Sequence, residues 1–249
     1  MNMIKDFQKT AIVVGEKKVS YCEMLQRIHL FSQHTTGDKG DRVLILSENR
    51  EGWIYAFFSI WERNQIATPV DAGSTAHDVA YIIKDCKPVC VWTSRTKIDV
   101  VREAMELAGI TMDVFLIDDF EQAPAPEEKA VIETRLEDTA LIIYTSGTTS
   151  AMKGVMLTHR NIISNFKAIL PIVPVGSHSK VLSYLPLCHV YERMMIYAWQ
   201  YLGIPIYYAE SLGTIADNLK EVQPTIFTTV PRLLEKFYDK ILGTGRKLN

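Results

Sequence analysis

An α/β fold, with two mostly parallel sheets flanked by helices, is predicted by three features of the chain. Short β-rich apolar runs alternate with segments of helical period along most of its length. Capping residues stand where several of those periodic segments begin. A hydroxyl-rich loop directly follows one apolar run, and parallel sheets bind ligands beyond the carboxyl ends of their strands.

In chain order, Ser20 and Glu23 make a capping-box signature ahead of Met24, Leu25, Ile28 and Phe31, spaced as one face of a helix. The turn GDKGD leads into VLILS, a buried-strand candidate. Arg50 to Arg63 reads as a helix. Its aromatic stripe of Trp53, Tyr55, Phe57, Phe58 and Trp61 has the spacing of core packing rather than of a ligand tunnel. Ile66 to Val70 follows as a strand, Thr75 to Lys84 as a helix with Thr75 and Asp78 at its start, and Val89 to Trp92 as a strand. Ile98 to Ala108 is a helix and Val114 to Ile117 a strand.

Near Asp118 the texture changes. EQAPAPEEKAVIETRLEDT carries alanine, proline and charge without sustained apolar period, as a surface connector does. A boundary is therefore expected there, with a first subdomain over 1–118, a connector over 119–138 and a second α/β segment over 139–249. In that segment strands are expected at Ala140–Tyr144, Gly154–Leu157, Val181–Leu185, Ile204–Ala209 and Thr225–Thr229. Helices are expected at His159–Leu170, Val190–Leu202, Thr214–Val222 and Arg232–Ile241. Tyr197, Trp199, Tyr201, Tyr207 and Tyr208 are better placed than the earlier stripe to line a tunnel, although most of them also suit the core.

Composition narrows the function. The chain has 249 residues, 47% hydrophobic and 22% charged, with 27 Lys plus Arg against 29 Asp plus Glu and a net charge of -2. Such a balance supplies no field for nucleic acid. The start, MNMIKDFQKT, lacks an apolar core of signal-peptide length, so a cytoplasmic location is expected, with peripheral membrane contact. A membrane span needs roughly 20 predominantly apolar residues, and the longest uncharged stretch, Met194 to Ala209, is broken by Gln200, Gly203 and Pro205. Cysteines stand at positions 22, 86, 90 and 188 without zinc-site spacing, so reduced thiols are expected. Cys188 adjoins His189. Neighbours in an extended segment point to opposite faces, which argues against a thiol–imidazole dyad.

The loop lies within LIIYTSGTTSAMKGVMLTHRN, Leu141 to Asn161. Thr145, Ser146, Thr148, Thr149 and Ser150 offer backbone N–H groups and hydroxyls, and Gly147 and Gly154 allow close approach. Lys153 adds a compact positive charge suited to a terminal phosphate or to departing pyrophosphate. A threonine hydroxyl is also an oxygen ligand of the kind magnesium takes. The pattern is not a Walker A loop, since Met152 stands where that motif needs glycine and Gly154 where it needs Ser or Thr. A solvated Ser/Thr/Gly turn is the plain alternative.

From Tyr144 to Asn161, Y-T-S-G-T-T-x-x-x-K-G-V-M-L-T-H-x-N resembles the phosphate-binding signature of the adenylate-forming enzymes. SYLPLCHVYERMM, from Ser183, resembles their carboxylate-site region. GDRVLILSENREGWIYAFFSIW, ATPVDAGS and the run from Ala209 to Ile241 resemble the AMP-forming long-chain fatty-acid–CoA ligase branch, over its amino-terminal part only. The resemblance implies ATP, Mg2+, CoA and a fatty acid as ligands. It places Thr145, Ser146, Gly147, Thr148, Thr149, Ser150, Lys153 and Gly154 around the phosphates, with Thr145 toward the metal. Lys153 and His189 take catalytic positions, His189 beside the substrate carboxylate, while Glu192 and Arg193 read as a structural pair or as helix-start charges. Ser150 stands where the family usually has Gly, which costs energy if that position needs φ > 0, and Met152 stands for the usual Pro, which removes a lock on φ.

Members of that family continue with adenine and ribose segments, a hinge and a mobile domain carrying a catalytic lysine. None is found after Ile241, so this chain alone is expected to be inactive and to need the C-terminal half as its partner. Self-association through uncovered apolar surface is a further expectation. A fatty-acyl–AMP ligase or aryl-acid ligase fragment, or a non-catalytic nucleotide-binding module, are the alternatives.

Overall fold

The protein is described by a computed structural model over residues 8–145, 152–176, 178–209 and 213–245. It opens with a hairpin, β1 (Thr10–Val14) and β2 (Lys17–Ser20), turned at Gly15, which has a φ of 55°. Then come α1 (Tyr21–His34), β3 (Arg42–Leu46), α2 (Glu51–Glu62), β4 (Ile66–Val70), α3 (Ala76–Cys86), β5 (Cys90–Thr93) and α4 (Ile98–Ala108). β6 (Asp113–Leu116) and a short α5 (Ile117–Glu121) precede the connector. After it lie β7 (Thr139–Thr145), β8 (Lys153–Thr158), α6 (His159–Ile169), β9 (Val181–Ser183), α7 (Val190–Leu202) and β10 (Ile206–Tyr208). α8 (Ile215–Val222), β11 (Ile226–Phe227) and α9 (Pro231–Gly245) complete the order.

The strands form two sheets. One runs β6-β5-β3-β4-β7-β8 and the other β11-β9-β10-β1-β2. Pairing is parallel except for the hairpins β1–β2 and β7–β8. Both sheets cross the 119–138 connector: β7 and β8 extend the sheet begun by β3, while β1 and β2 join strands from the far end of the chain. Parallel strands require crossovers, and here the crossovers run between what the sequence texture divides.

The expected caps form. The Ser20 hydroxyl accepts from Glu23 N, and Thr75 and Asp78 complete a reciprocal box at the head of α3. Every member of the aromatic stripe on α2 is buried. Trp61 donates its indole N–H to the Ala140 carbonyl at 2.9 Å, tying α2 to β7. Tyr197, Trp199 and Tyr208 are also core, and Tyr197 packs on Phe57, Phe58 and Trp61. Among the described residues no helix is long and apolar enough to cross a membrane.

Candidate functional site

β7 brings the hydroxyl-rich segment to the carboxyl end of the six-stranded sheet. Its Ala140, Leu141 and Ile142 are buried, whereas Thr145 at its end is exposed. β8 returns antiparallel, with Thr145 opposite Lys153 and Tyr144 opposite Gly154. A hydroxyl and an ammonium thus flank the mouth of the connection. Ser146, Gly147, Thr148, Thr149 and Ser150 lie outside the described residues.

The base of the connection is held from α3. Tyr81 donates its hydroxyl to the Met152 carbonyl at 2.9 Å, and Tyr144 donates to Asp85 Oδ2 at 2.5 Å. Burial and the Asp85 carboxylate push the Tyr144 phenol above its usual range, so it stays a donor. Met152 packs against the cluster around Val79, Ile83 and Ile142. A carbonyl clamp and a half-buried side chain therefore anchor the position where proline is usual in the resembled family. Gly154 lies within β8 rather than at a turn. A Cβ there would come within 3.0 Å of Ile142 Cγ2 and 3.2 Å of Tyr144 Cζ, so the missing side chain lets the Tyr144 ring lie across the strand.

The T-H-x-N end of the same motif is structural. Thr158 caps α6 reciprocally with Asn161, at 3.2 Å and 2.9 Å. His159 is buried edge-on to Trp61, and burial lowers its imidazole to about 4.

The second motif is held in a turn ahead of α7. Asn49, beyond the carboxyl end of β3, donates to the Leu185 carbonyl at 2.7 Å and accepts from Leu187 N at 2.8 Å. His189 N donates to the Pro186 carbonyl at 3.0 Å. His189 occupies the N-cap position of α7 and is exposed, with Nε2 3.6 Å from Asp71 Oδ2. Asp71 directly follows β4, the parallel neighbour of β7. Carried forward, the Ala67–Leu141 register brings Asp71 level with Thr145. The two motifs thus meet at the carboxyl ends of adjacent strands.

Two expectations need correction. Cys188 and His189 do not diverge: the turn, which is not extended chain, leaves Cys188 Sγ 3.8 Å from His189 Nδ1 and 3.4 Å from Asp71 Oδ2. Burial, reinforced by Asp71, pushes the Cys188 thiol up to about 12, so it is no thiolate nucleophile. Of the two readings for Glu192 and Arg193, the pair does not form, whereas Glu192 does stand in the first turn of α7. Both are buried, Glu192 accepts from the Ser183 hydroxyl, and Arg193 lies over the Phe57 ring at 5.5 Å. Sequence reasoning gave no role to Asp71 or Asn49. Their position just past the strands in ATPVDAGS and VLILSENR was the available signal.

An apolar cleft of about 350 Å³ opens beside His189, walled by Leu157, Ile162, Ile169, Val190, Tyr191 and Met194. A larger one, about 780 Å³, lies between α4 and β6 at the other edge of the sheet and holds neither motif.

The profile of the family described as AMP-binding enzyme matches residues 5–246. The chain belongs to this family. Within the AMP-binding family it is similar to long-chain-fatty-acid–CoA ligase 5 of Mus musculus, 30% identical over 232 residues, covering 81% of this chain and 34% of the relative. Similarity to long-chain-fatty-acid–CoA ligase FadD15 of Mycobacterium tuberculosis is 27% over 218 residues, covering 80% and 36%. The chain thus spans about a third of the length of these curated relatives. Among solved structures, the inhibitor-bound N-terminal domain of FACL13 from Mycobacterium tuberculosis superposes with a TM-score of 0.83 at 21% identity, covering 92% of this chain and 60% of that one. ATP-bound MatB from Rhodopseudomonas palustris gives 0.80 at 23%, covering 93% and 50%. At these identities the likeness establishes the adenylate-forming fold.

Proposed function

We propose that this chain is the part of an AMP-forming fatty-acid–CoA ligase that grips the polyphosphate of ATP and presents a fatty carboxylate to it. The observation that carries the reading is the convergence of both motifs at the carboxyl ends of β4 and β7. Thr145 and Lys153 face each other there, and His189 reaches the same edge through Asp71.

The donor set suits Mg-ATP. The Thr145 hydroxyl is a hard oxygen ligand, Lys153 is an exposed cation, and α3 fixes the backbone between them. Magnesium, when bound, screens the polyphosphate oxygens and the pyrophosphate as it departs. Lys153 neutralises charge on the β- and γ-phosphates, and Ser146 to Ser150 supply further N–H and hydroxyl donors. His189 donates an imidazole N–H to the substrate carboxylate and orients it toward the α-phosphorus. The acyl chain enters the apolar cleft that begins at Val190, the next residue. In this reading catalysis is positioning plus charge stabilisation. Binding is the property to test in this chain, which spans about a third of the length of the relatives it matches.

Calorimetric titration with Mg-tripolyphosphate and with Mg-ATP tests the grip without an adenine pocket. Lys153→Ala should weaken both about tenfold or more, the loss expected of one charge-assisted contact. Equal affinity in the variant would remove Lys153 from the site. Palmitate-dependent pyrophosphate exchange by the longer protein, absent with an aryl acid, supports the fatty-acid assignment, and the reverse preference overturns it.

A further inference from the structure

The Asp71–Cys188–His189 group is the one cluster of its kind among the described residues. We propose that it is a binding site for a divalent cation of the zinc class, with three protein ligands and one open position. The site shares His189 and Asp71 with the ligase reading, but it is argued from their geometry with Cys188 and does not require that reading.

The three side chains are close enough to share one ion, although the two short imidazole contacts are made by different ring nitrogens. Sγ to Oδ2 is 3.4 Å, Sγ to Nδ1 is 3.8 Å and Nε2 to Oδ2 is 3.6 Å. Bonds of about 2.3 Å to sulfur and about 2.0 Å to nitrogen and oxygen, at tetrahedral angles, place ligand atoms about 3.3 to 3.6 Å apart. One imidazole nitrogen serves as ligand, and with one ligand atom from each residue the three lie within 4.8 Å of one another. Thiolate, imidazole and carboxylate together suit zinc and its analogue cobalt, while magnesium and calcium favour all-oxygen sites.

The ligands are also held in place. Asp71 Oδ1 accepts from Gly73 N at 2.7 Å, which fixes the carboxylate with Oδ2 toward the thiol and the imidazole. The Pro186 turn and the Asn49 clamp set the other two ligands. Such supporting contacts are what orient ligands in protein metal sites. Cys188 is buried at the back of the group, while the exposed imidazole and half-exposed carboxylate leave an entry path. The buried Arg193 guanidinium, which has no hydrogen-bond acceptor among the described residues, offsets only part of the burial and Asp71 charge that hold the thiol protonated, so the cation itself must draw that proton off. On binding, the S–H bond of Cys188 breaks and its proton goes to buffer. The sulfur lone pair then forms the metal–thiolate bond, and water completes the fourth position. Sequence spacing could not reveal this site, because Asp71 lies 117 residues from Cys188.

Cobalt titration of the chain, in a reductant that does not bind metal, tests the proposal. One equivalent should produce a thiolate-to-cobalt charge-transfer band and tetrahedral visible bands, both removed by zinc. Cys188→Ser should abolish the charge-transfer band, and Asp71→Asn should weaken cobalt binding about tenfold or more. Absence of the band in the wild-type chain overturns the site. So does its persistence in Cys188→Ser, which would assign it to another thiol, or unchanged affinity in Asp71→Asn. Circular dichroism checks the variants. If Cys188→Ser does not fold, Asp71→Asn and His189→Gln, both at exposed or half-exposed positions, decide the outcome.

Discussion

Glu192→Gln isolates a single buried carboxyl. Glu192 sits in the first turn of α7 with 2% of its surface exposed. One oxygen accepts from the Ser183 hydroxyl and the other has no hydrogen-bond partner. Burial raises the carboxyl from 4.5 to about 7. Below about pH 4.5 both folded and unfolded chains carry the proton, and the group adds no pH dependence. Between there and about 7 the folded chain keeps a proton that the unfolded chain has released, so stability falls as pH rises. Relative to the acid limit the loss is about 1 kcal/mol near pH 5.5 and about 3 kcal/mol near pH 8. Glutamine keeps the acceptor for Ser183 and cannot ionise. The stability gap between variant and wild type should therefore move by about 2 kcal/mol in favour of the variant over that interval. His159 works the other way. Its neutral form is favoured by burial, so its contribution is complete above 6.5 and is lost as pH falls toward about 4. That recovers about 1 kcal/mol between pH 5.5 and pH 8 and masks part of the slope in the wild type alone. Urea unfolding of both proteins at the two pH values, followed by tryptophan fluorescence, removes the His159 contribution by difference. A gap equal at both pH values within about 0.5 kcal/mol would refute the raised carboxyl.

Gly154→Ala forces a methyl group against Ile142 and the Tyr144 ring, so it should cost about 1 to 2 kcal/mol and lower the thermal midpoint by about 2 to 8 °C. An unchanged midpoint in calorimetry would mean that the ring moves aside freely. Trp61→Phe strands the buried Ala140 carbonyl, and a loss of about 1 to 3 kcal/mol in urea unfolding is expected from that bond alone.

Local rules made much of the fold legible. The caps at Ser20 and Thr75, the alternation of apolar runs and the stripe on α2 all correspond to structure, because each depends on residues only a few positions apart. The β1–β2 hairpin escaped notice, although Ala11 to Val14 is apolar and Gly15 turns the chain. Its parallel neighbour is β10, and such pairing leaves no short-range mark. The motif at Tyr144 to Asn161 was visible as a unit, yet its two ends serve different purposes. Thr145 and Lys153 stand at the mouth of the connection, while Thr158, His159 and Asn161 build a helix start and a piece of core. The direction of Cys188 was misjudged because it was inferred from extended-chain neighbours, whereas a turn decided it.

The long-range partnership of β1 with β10 bears on how the chain is made. A ribosome finishes the six-stranded sheet once β8 emerges, but the opening hairpin has no parallel neighbour until Ile206 is synthesised. At about 5 to 20 residues per second, roughly 190 residues of waiting amount to about 10 to 40 s. Throughout that interval the nascent hairpin presents an unpaired backbone edge and the apolar side chains of Ala11, Ile12 and Val13, on both faces of the strand, a natural stretch for chaperones to shield.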